Sequence, residues 1–298
     1  MKLLEKLRSQ DKIICPVSCA SFEELMKQDD VSTRSATAKV MDHLSCGLCM
    51  LNWIHLTGLE WEHHVAHTLL KLDGEINPFT KVGFWAGEHV AEYEGLPEPD
   101  KTVREKLYID LRWAMSLTDY QAAPGFFKPP QAFFTAFVAD AQNRRNTQTQ
   151  HPSSFAALAR ATRQQLFLSL KGDFLASLRR LGPAKSEDAA MANISACWDP
   201  LIENPTPWTV PSLQVLAGID AAATFHKRKV VENDMYDFLH AAEAIPYCDA
   251  FFCDNPIARL VREKPLEYHK AYSTVILSRP EEIATHLENL ASSEFSRA

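Results

Sequence analysis

Four aspartates, Asp234, Asp237, Asp249 and Asp254, lie within Asn233–Asn255 and surround the apolar run Ala250-Phe-Phe-Cys253. A carboxylate among core-forming residues needs a role, because burying it without a partner is costly. Three roles are open: helix cap, member of a buried pair, or ligand of a cation. Asp234 and Asp237 are three apart and share one face of a first helical turn, where capping and the helix dipole favour acids. For Asp234, capping is the stronger reading. Asp254 follows the apolar run, at the C-terminal end of a predicted strand, where open α/β sheets place their ligands. Asp237 from a helix start and Asp254 from a strand end can converge on a hard divalent cation, Mg2+ or Mn2+. Asp249 sits at the other end of that strand, roughly 16 Å away at about 3.3 Å per residue. It reads as structural.

Other groups invite chemistry and have plainer readings beside it. Glu60, His64 and His67 fall on one helical face, a spacing that suits zinc, but no H-E-x-x-H accompanies them. The polar face of a helix is the favoured reading. Cys46-Gly-Leu-Cys49 and the pair Cys15 and Cys19 lack both the paired C-x-x-C spacing of a zinc site and a thioredoxin-like setting, so they read as buried, reduced thiols. His240, one turn after Asp237, either orients a carboxylate, contacts substrate or is a satisfied core histidine.

The elements that would position these residues follow from pattern. Residues 2 to 10 predict a short amphipathic helix, and Lys12–Ser18 a buried strand. Ser21-Phe-Glu-Glu24 has the S-x-x-E form of a capping box and predicts the next helix start. From about 33 to 205 the periodicity is helical and aromatic-rich, with no convincing strand; Asn143–Pro152 reads as an exposed loop and Pro200–Pro211 as an ordered connector. Helices are then expected from Val210–Ser212 to about His226 and from Asn233 to Ala244. Strands follow at Ala250–Cys253 and Ser273–Ser278, and a closing helix begins at Pro280.

Composition bounds the answer. The 298 residues are 46% hydrophobic and 23% charged, an ordinary globular balance that excludes wholesale disorder. A formal charge of −7 argues against a nucleic-acid coat protein, though not against an enzyme that grips phosphates locally. No apolar run approaches bilayer length, so no membrane partner is expected. Seven cysteines and a charged N-terminal stretch without an apolar signal core point to reduced thiols in the cytoplasm.

With these residues in place, a resemblance emerges. Asp237-Phe-Leu-His-Ala-Ala-Glu-Ala244 resembles the D-x-x-I-A-A-x-A helix of PIN-domain nucleases, and Phe-Phe-Cys-Asp254 resembles their strand ending in T-x-D. Cys15–Leu25 is similar to their second strand and acidic helix, with Glu24 at the E-L position. The string as a whole looks like a bacterial PIN-like branch with a helical insertion. The likeness covers about 11–45 and 208–292. It implies a three-layer α/β PIN-like domain with a parallel sheet, formed by 1–45 and 206–298, and a large all-helical insertion at 46–205. It also implies RNA as substrate and Glu24, Asp237 and Asp254 as the residues that hold Mg2+ or Mn2+. Asp234 and His240 would support them from behind. Water activated by the cation would hydrolyse the phosphodiester. A toxin with an antitoxin partner, a homo-oligomer, or an RNA-processing enzyme would each fit this family.

One departure stands out. The family's first, central strand, carrying L-D-T-N and the first acid, has no counterpart before Lys12. An upstream start, a strand supplied by another chain, and a degenerate copy each account for this. The first is favoured, since losing a central strand strips a ladder of its hydrogen bonds. The alternative to a nuclease is a catalytically degenerate PIN-like binding or scaffold protein.

Overall fold

The computed structural model describes residues 2–81, 116–122, 143, 154–170, 172, 174, 187–228 and 230–293. The chain is mixed helix and sheet and divides into two compact units: Met1–Leu51, Phe79–Gln131 and Pro280–Ala298 form the first, Asn52–Pro78 and Ala132–Arg279 the second. The expected loop Asn143–Pro152 lies, apart from Asn143, outside the described residues.

In the first unit, helices α1 (Lys2–Ser9), α2 (Cys19–Met26) and α3 (Val31–Ser45) precede strand β1 (Leu48–Met50). β1 pairs antiparallel with β2 (Phe79–Lys81). The core joins Val17, Phe22, Leu25, Ala38, Cys49 and Leu117. Lys12–Ser18 is not the expected strand. Pro16 has no N–H to give a ladder, Ile14 is exposed, and only Val17 bridges, parallel to Cys49. The expectation of no strand between 33 and 205 is corrected as well, since β1 and β2 are three residues each and too short to register as a period. The predicted capping box also shifts. α2 begins at Cys19, and Ser18, not Ser21, caps it by accepting the Ser21 N–H at 3.1 Å. Lys12 donates its Nζ to the carbonyls of Leu290, Ala291 and Ser293, so a cation satisfies the C-terminus of the last helix.

The second unit is built on one buried helix. After α4 (Trp53–Val65), α5 (Leu117–Ala122, in the first unit), α6 (Phe155–Ser169) and α7 (Glu187–Trp198) comes α8 (Pro211–Phe225). From Pro211 to Thr224 every residue of α8 is buried, because its apolar and small residues wrap the whole circumference. α4, α6 and α9 (Glu232–Ala244) pack on it. Trp61 anchors α4, stacking on Phe174 with centroids 4.8 Å apart and donating Nε1–H to the Phe174 carbonyl at 3.2 Å.

Beyond α9 the chain forms β3 (Ala250–Phe252), α10 (Asn255–Arg262), α11 (Tyr268–Ala271) and β4 (Val275–Leu277). β3 and β4 are parallel, with Ala250 opposite Val275 and Phe252 opposite Leu277, so α10 and α11 form a crossover between them. α12 (Pro280–Ser292) closes the chain in the first unit. None of the described helices is long and apolar enough to cross a membrane.

Candidate functional site

Two groups of acids stand out in the second unit, in opposite surroundings. The first lies at the C-terminal end of β3. Asp254 is the N-cap of α10, and its Oδ1 accepts the Ile257 N–H at 3.0 Å. Its residue is exposed, and the N-terminus of α10 favours its negative charge. Asp237, half-buried in the second turn of α9, comes from a different element. Both carboxylates act on Cys253. Burial, then Asp254, then Asp237 push its thiol up to about 12, while Arg262 on α10 pulls it down. Two acids and a guanidinium therefore contribute to the field at one thiol near the carboxyl end of a parallel strand, where open α/β sheets place ligands.

The neighbouring acids are otherwise engaged. Asp234 stands at the third helical position of α9, where Oδ2 accepts the Val231 N–H at 2.7 Å and Oδ1 takes Arg228 at 2.5 Å. It is the cap and ion-pair partner that its spacing suggests. Asp249 is exposed, and its carbonyl accepts the Val275 N–H in the β3–β4 ladder. His240 packs perpendicular to Phe251 with centroids 5.2 Å apart, and burial pushes its pKa down to about 4. A neutral ring locked onto β3 fits the core reading. Glu24 is an exposed residue of α2, six positions into that helix and so free of the capping role, and it belongs to the first unit. Among the described residues, no three of His, Cys, Asp and Glu are grouped as a metal-ligand set.

The second group is one the sequence did not single out as a buried site. Glu60 is not on a solvated polar face; it is 1% exposed, beneath the N-terminus of α8. The Ser212 N–H donates to both of its oxygens at 3.0 Å, the Ser212 hydroxyl to Oε2 at 2.6 Å and the Tyr247 hydroxyl to Oε1 at 2.6 Å. Thr57 extends the chain through Ser212 Oγ at 2.8 Å. Burial raises the Glu60 pKa to about 8, against the pull of Ser212 and Tyr247. The companions proposed for zinc point elsewhere. His64 Nε2 meets the Cys197 carbonyl at 3.1 Å, and His67 is exposed beside Asp73. The carboxyl thus fixes α4 to α8 and shows no opening to a substrate. No signal in the i, i+4 spacing could have distinguished this from a solvated face. What covers that face is α8, whose buried N-terminus brings Ser212 onto the carboxyl.

The thiols follow their own surroundings. Cys49 is buried as expected, whereas Cys46 is exposed at the left-handed end of α3, with the Arg8 guanidinium donating to its sulfur. None of the seven cysteines forms a disulfide.

No family model, curated protein or solved structure matches this chain.

Proposed function

We propose that the carboxyl end of β3 binds Mg2+ or Mn2+ through Asp237 and Asp254, and that the protein is a metal-dependent endoribonuclease with a PIN-like sheet order. The observation that supports this reading is the field that both acids place on Cys253. Carboxylates from two elements contribute to the charge at one strand end. The donor set suits such a cation. Mg2+ keeps several waters and is usually held by one or two carboxylates together with substrate phosphates, so two acids suffice as an anchor. Asp254 commits Oδ1 to its helix cap, which leaves Oδ2 as the oxygen to offer. When bound, the cation would supply a water nucleophile usable near neutral pH and offset charge on the phosphate.

The chain's own residues do the rest. α9 and α10 fix the two carboxylates in orientation. Arg262, whose charge acts on the same thiol, would offer a fixed charge to a phosphate group. A toxin or an RNA-processing role fits this chemistry equally.

A second reading, a degenerate binding or scaffold protein, draws on the absence of a three-residue ligand group among the described residues. One experiment separates them: Mn2+ titration followed by electron paramagnetic resonance, beside RNA cleavage with and without chelator. A nuclease binds Mn2+, cuts RNA only with metal, and loses both in Asp237→Asn. Wild type and Asp237→Asn binding Mn2+ alike would sink the site, and absent cleavage would favour the binding protein.

A further inference from the structure

A cleft of about 190 Å³ opens in the second unit between α6, the Pro205–Pro207 segment and the Pro265–Tyr272 segment. Its walls are flat and apolar: Phe155, Pro205, Pro207, Pro265 and the rings of Tyr268 and Tyr272. Both tyrosine hydroxyls are turned away to backbone oxygens, Tyr268 to the Gln214 and Val215 carbonyls and Tyr272 to that of Pro207. Their ring faces are what remain. The Gln214 amide is likewise spent on the carbonyls of Leu201 and Thr209.

Arg163 is the cation that lines this cleft, and among the described residues no salt bridge neutralises it. Arg163 donates Nη2–H to the Ile202 carbonyl at 3.0 Å, while its Nε–H is enclosed with no acceptor among the described residues. Glu203, the acid that acts on Arg163, is taken by Arg160 in a two-pronged pair at 2.7 and 2.6 Å. Burial pulls the Arg163 pKa down, and the small opposing pulls of Tyr268 and Glu203 do not offset it. The Arg163 guanidinium is half-buried, and a carboxylate or phosphate in its fork is the partner such a group favours.

The backbone around the cleft is held at a cost too. Val210, β-branched, sits at φ 52° and begins α8 just after the proline wall. Such a conformation persists only where its surroundings dictate it, and it concentrates at binding sites. Trp208, 57% exposed, stands edge-on to Tyr272 with centroids 5.3 Å apart, an aromatic left in water near the cleft.

We propose that this cleft binds a small organic acid, its carboxylate on Arg163 and its flat or short apolar body between the proline and tyrosine walls. The volume falls below the roughly 300–1,000 Å³ of drug-sized pockets, so the ligand is metabolite-sized. A bare inorganic anion would leave the walls uncovered. The site is separate from the acids at β3 and does not depend on their role.

The test uses the full chain and benzoate as probe, with inorganic phosphate and benzyl alcohol beside it. Binding is read by tryptophan fluorescence and by the thermal midpoint. Wild type should bind benzoate saturably. Arg163→Met should weaken it at least about tenfold, the scale of one charge-assisted hydrogen bond. Ala271→Phe, which fills the cleft and keeps the cation, should weaken it similarly while the circular dichroism spectrum stays unchanged. Benzyl alcohol should bind worse than benzoate. No saturable benzoate binding up to roughly 10 mM, well above the scale of a weak millimolar site, would overturn the proposal. Equal binding by Arg163→Met, or phosphate binding as tightly as benzoate, would do the same.

Discussion

Glu60 and the pair Asp237 and Asp254 are acids of the same unit with opposite situations. Glu60 is enclosed, and a backbone amide and two hydroxyls donate to it. Asp254 is exposed at a helix start, Asp237 half-buried behind it, and the charge of both spreads over a thiol. The contrast teaches that partners, not residue type, decide what a carboxylate does. An acid whose lone pairs are all taken by fixed donors is structural, since a substrate or metal would have to displace them. Asp254, whose Oδ2 lies outside its helix-cap bond at the carboxyl end of a strand, keeps its capacity for chemistry.

The sharpest way to break this comparison is Glu60→Ala. It leaves the Ser212 amide and hydroxyl and the Tyr247 hydroxyl without their acceptor, and it opens a void beneath α8. A loss of about 2–4 kcal/mol is expected in urea unfolding, since each buried donor left unsatisfied costs about 1–3 kcal/mol. A loss below about 1 kcal/mol, the size of a surface effect, would mean Glu60 is not the fastening it resembles. The same residue makes a pH prediction. Its folded pKa, about 8, stands above its ordinary 4.5, so the folded protein holds a proton that the unfolded chain has released. That contribution is full below pH 4.5 and is lost as pH rises toward 8. Wild-type stability should therefore fall by a few kcal/mol across this window relative to Glu60→Gln, whose side chain does not titrate. Parallel pH profiles of the two proteins would refute the protonated carboxyl.

The last third of the chain was readable because its signals are local. Pro211 and Pro280 mark helix starts and Ala250–Phe252 is a short apolar run. Observed elements fall within two residues of expectation for α8, α9, β3 and β4. Asp254 at a strand end and Asp234 as a cap follow from the same local rules. What failed depended on distant partners. Lys12–Ser18 has strand composition, yet only Val17 finds a neighbouring chain. Cys49 and Phe79–Lys81 form a ladder from segments almost thirty residues apart that no short window joins. Glu60 meets Ser212 and Tyr247 across more than one hundred and fifty residues. Spacing can place it on a helical face but not say what covers that face.

Smaller effects sharpen the comparison. Gly218, in the buried length of α8, has no room for a methyl; a Cβ there would overlap the Tyr268 hydroxyl and stand 3.1 Å from its Cζ. Gly218→Ala should cost about 1–3 kcal/mol through overpacking, read by urea midpoint, with Tyr268 displaced from the Gln214 carbonyl. A neutral result would show that Tyr268 moves freely. Asp254→Ala removes the α10 cap and should cost about 1 kcal/mol. It should also lower the Cys253 pKa, because the larger of the two acidic fields on that thiol disappears.

The smallest stability effect belongs to Asp237→Asn, and it is the one that decides function. The substitution keeps shape and removes charge, so unfolding should shift by no more than about 0.5 kcal/mol. Metal-dependent RNA cleavage should fall roughly 100-fold or more, the upper range for loss of a group that tunes a metal site. A third readout stands apart from catalysis. With Asp237 neutral, one of the two negative fields on Cys253 is gone, so its thiolate forms at lower pH and alkylation by iodoacetamide rises at a fixed alkaline pH. If alkylation rises and cleavage persists, Asp237 faces the strand end but does not hold the cation. If alkylation is unchanged, the two acids do not share that space, and the site falls whatever the cleavage assay reports. Glu60→Gln is the control, since an acid engaged by its own donors should leave both the thiol and the cleavage rate where they were.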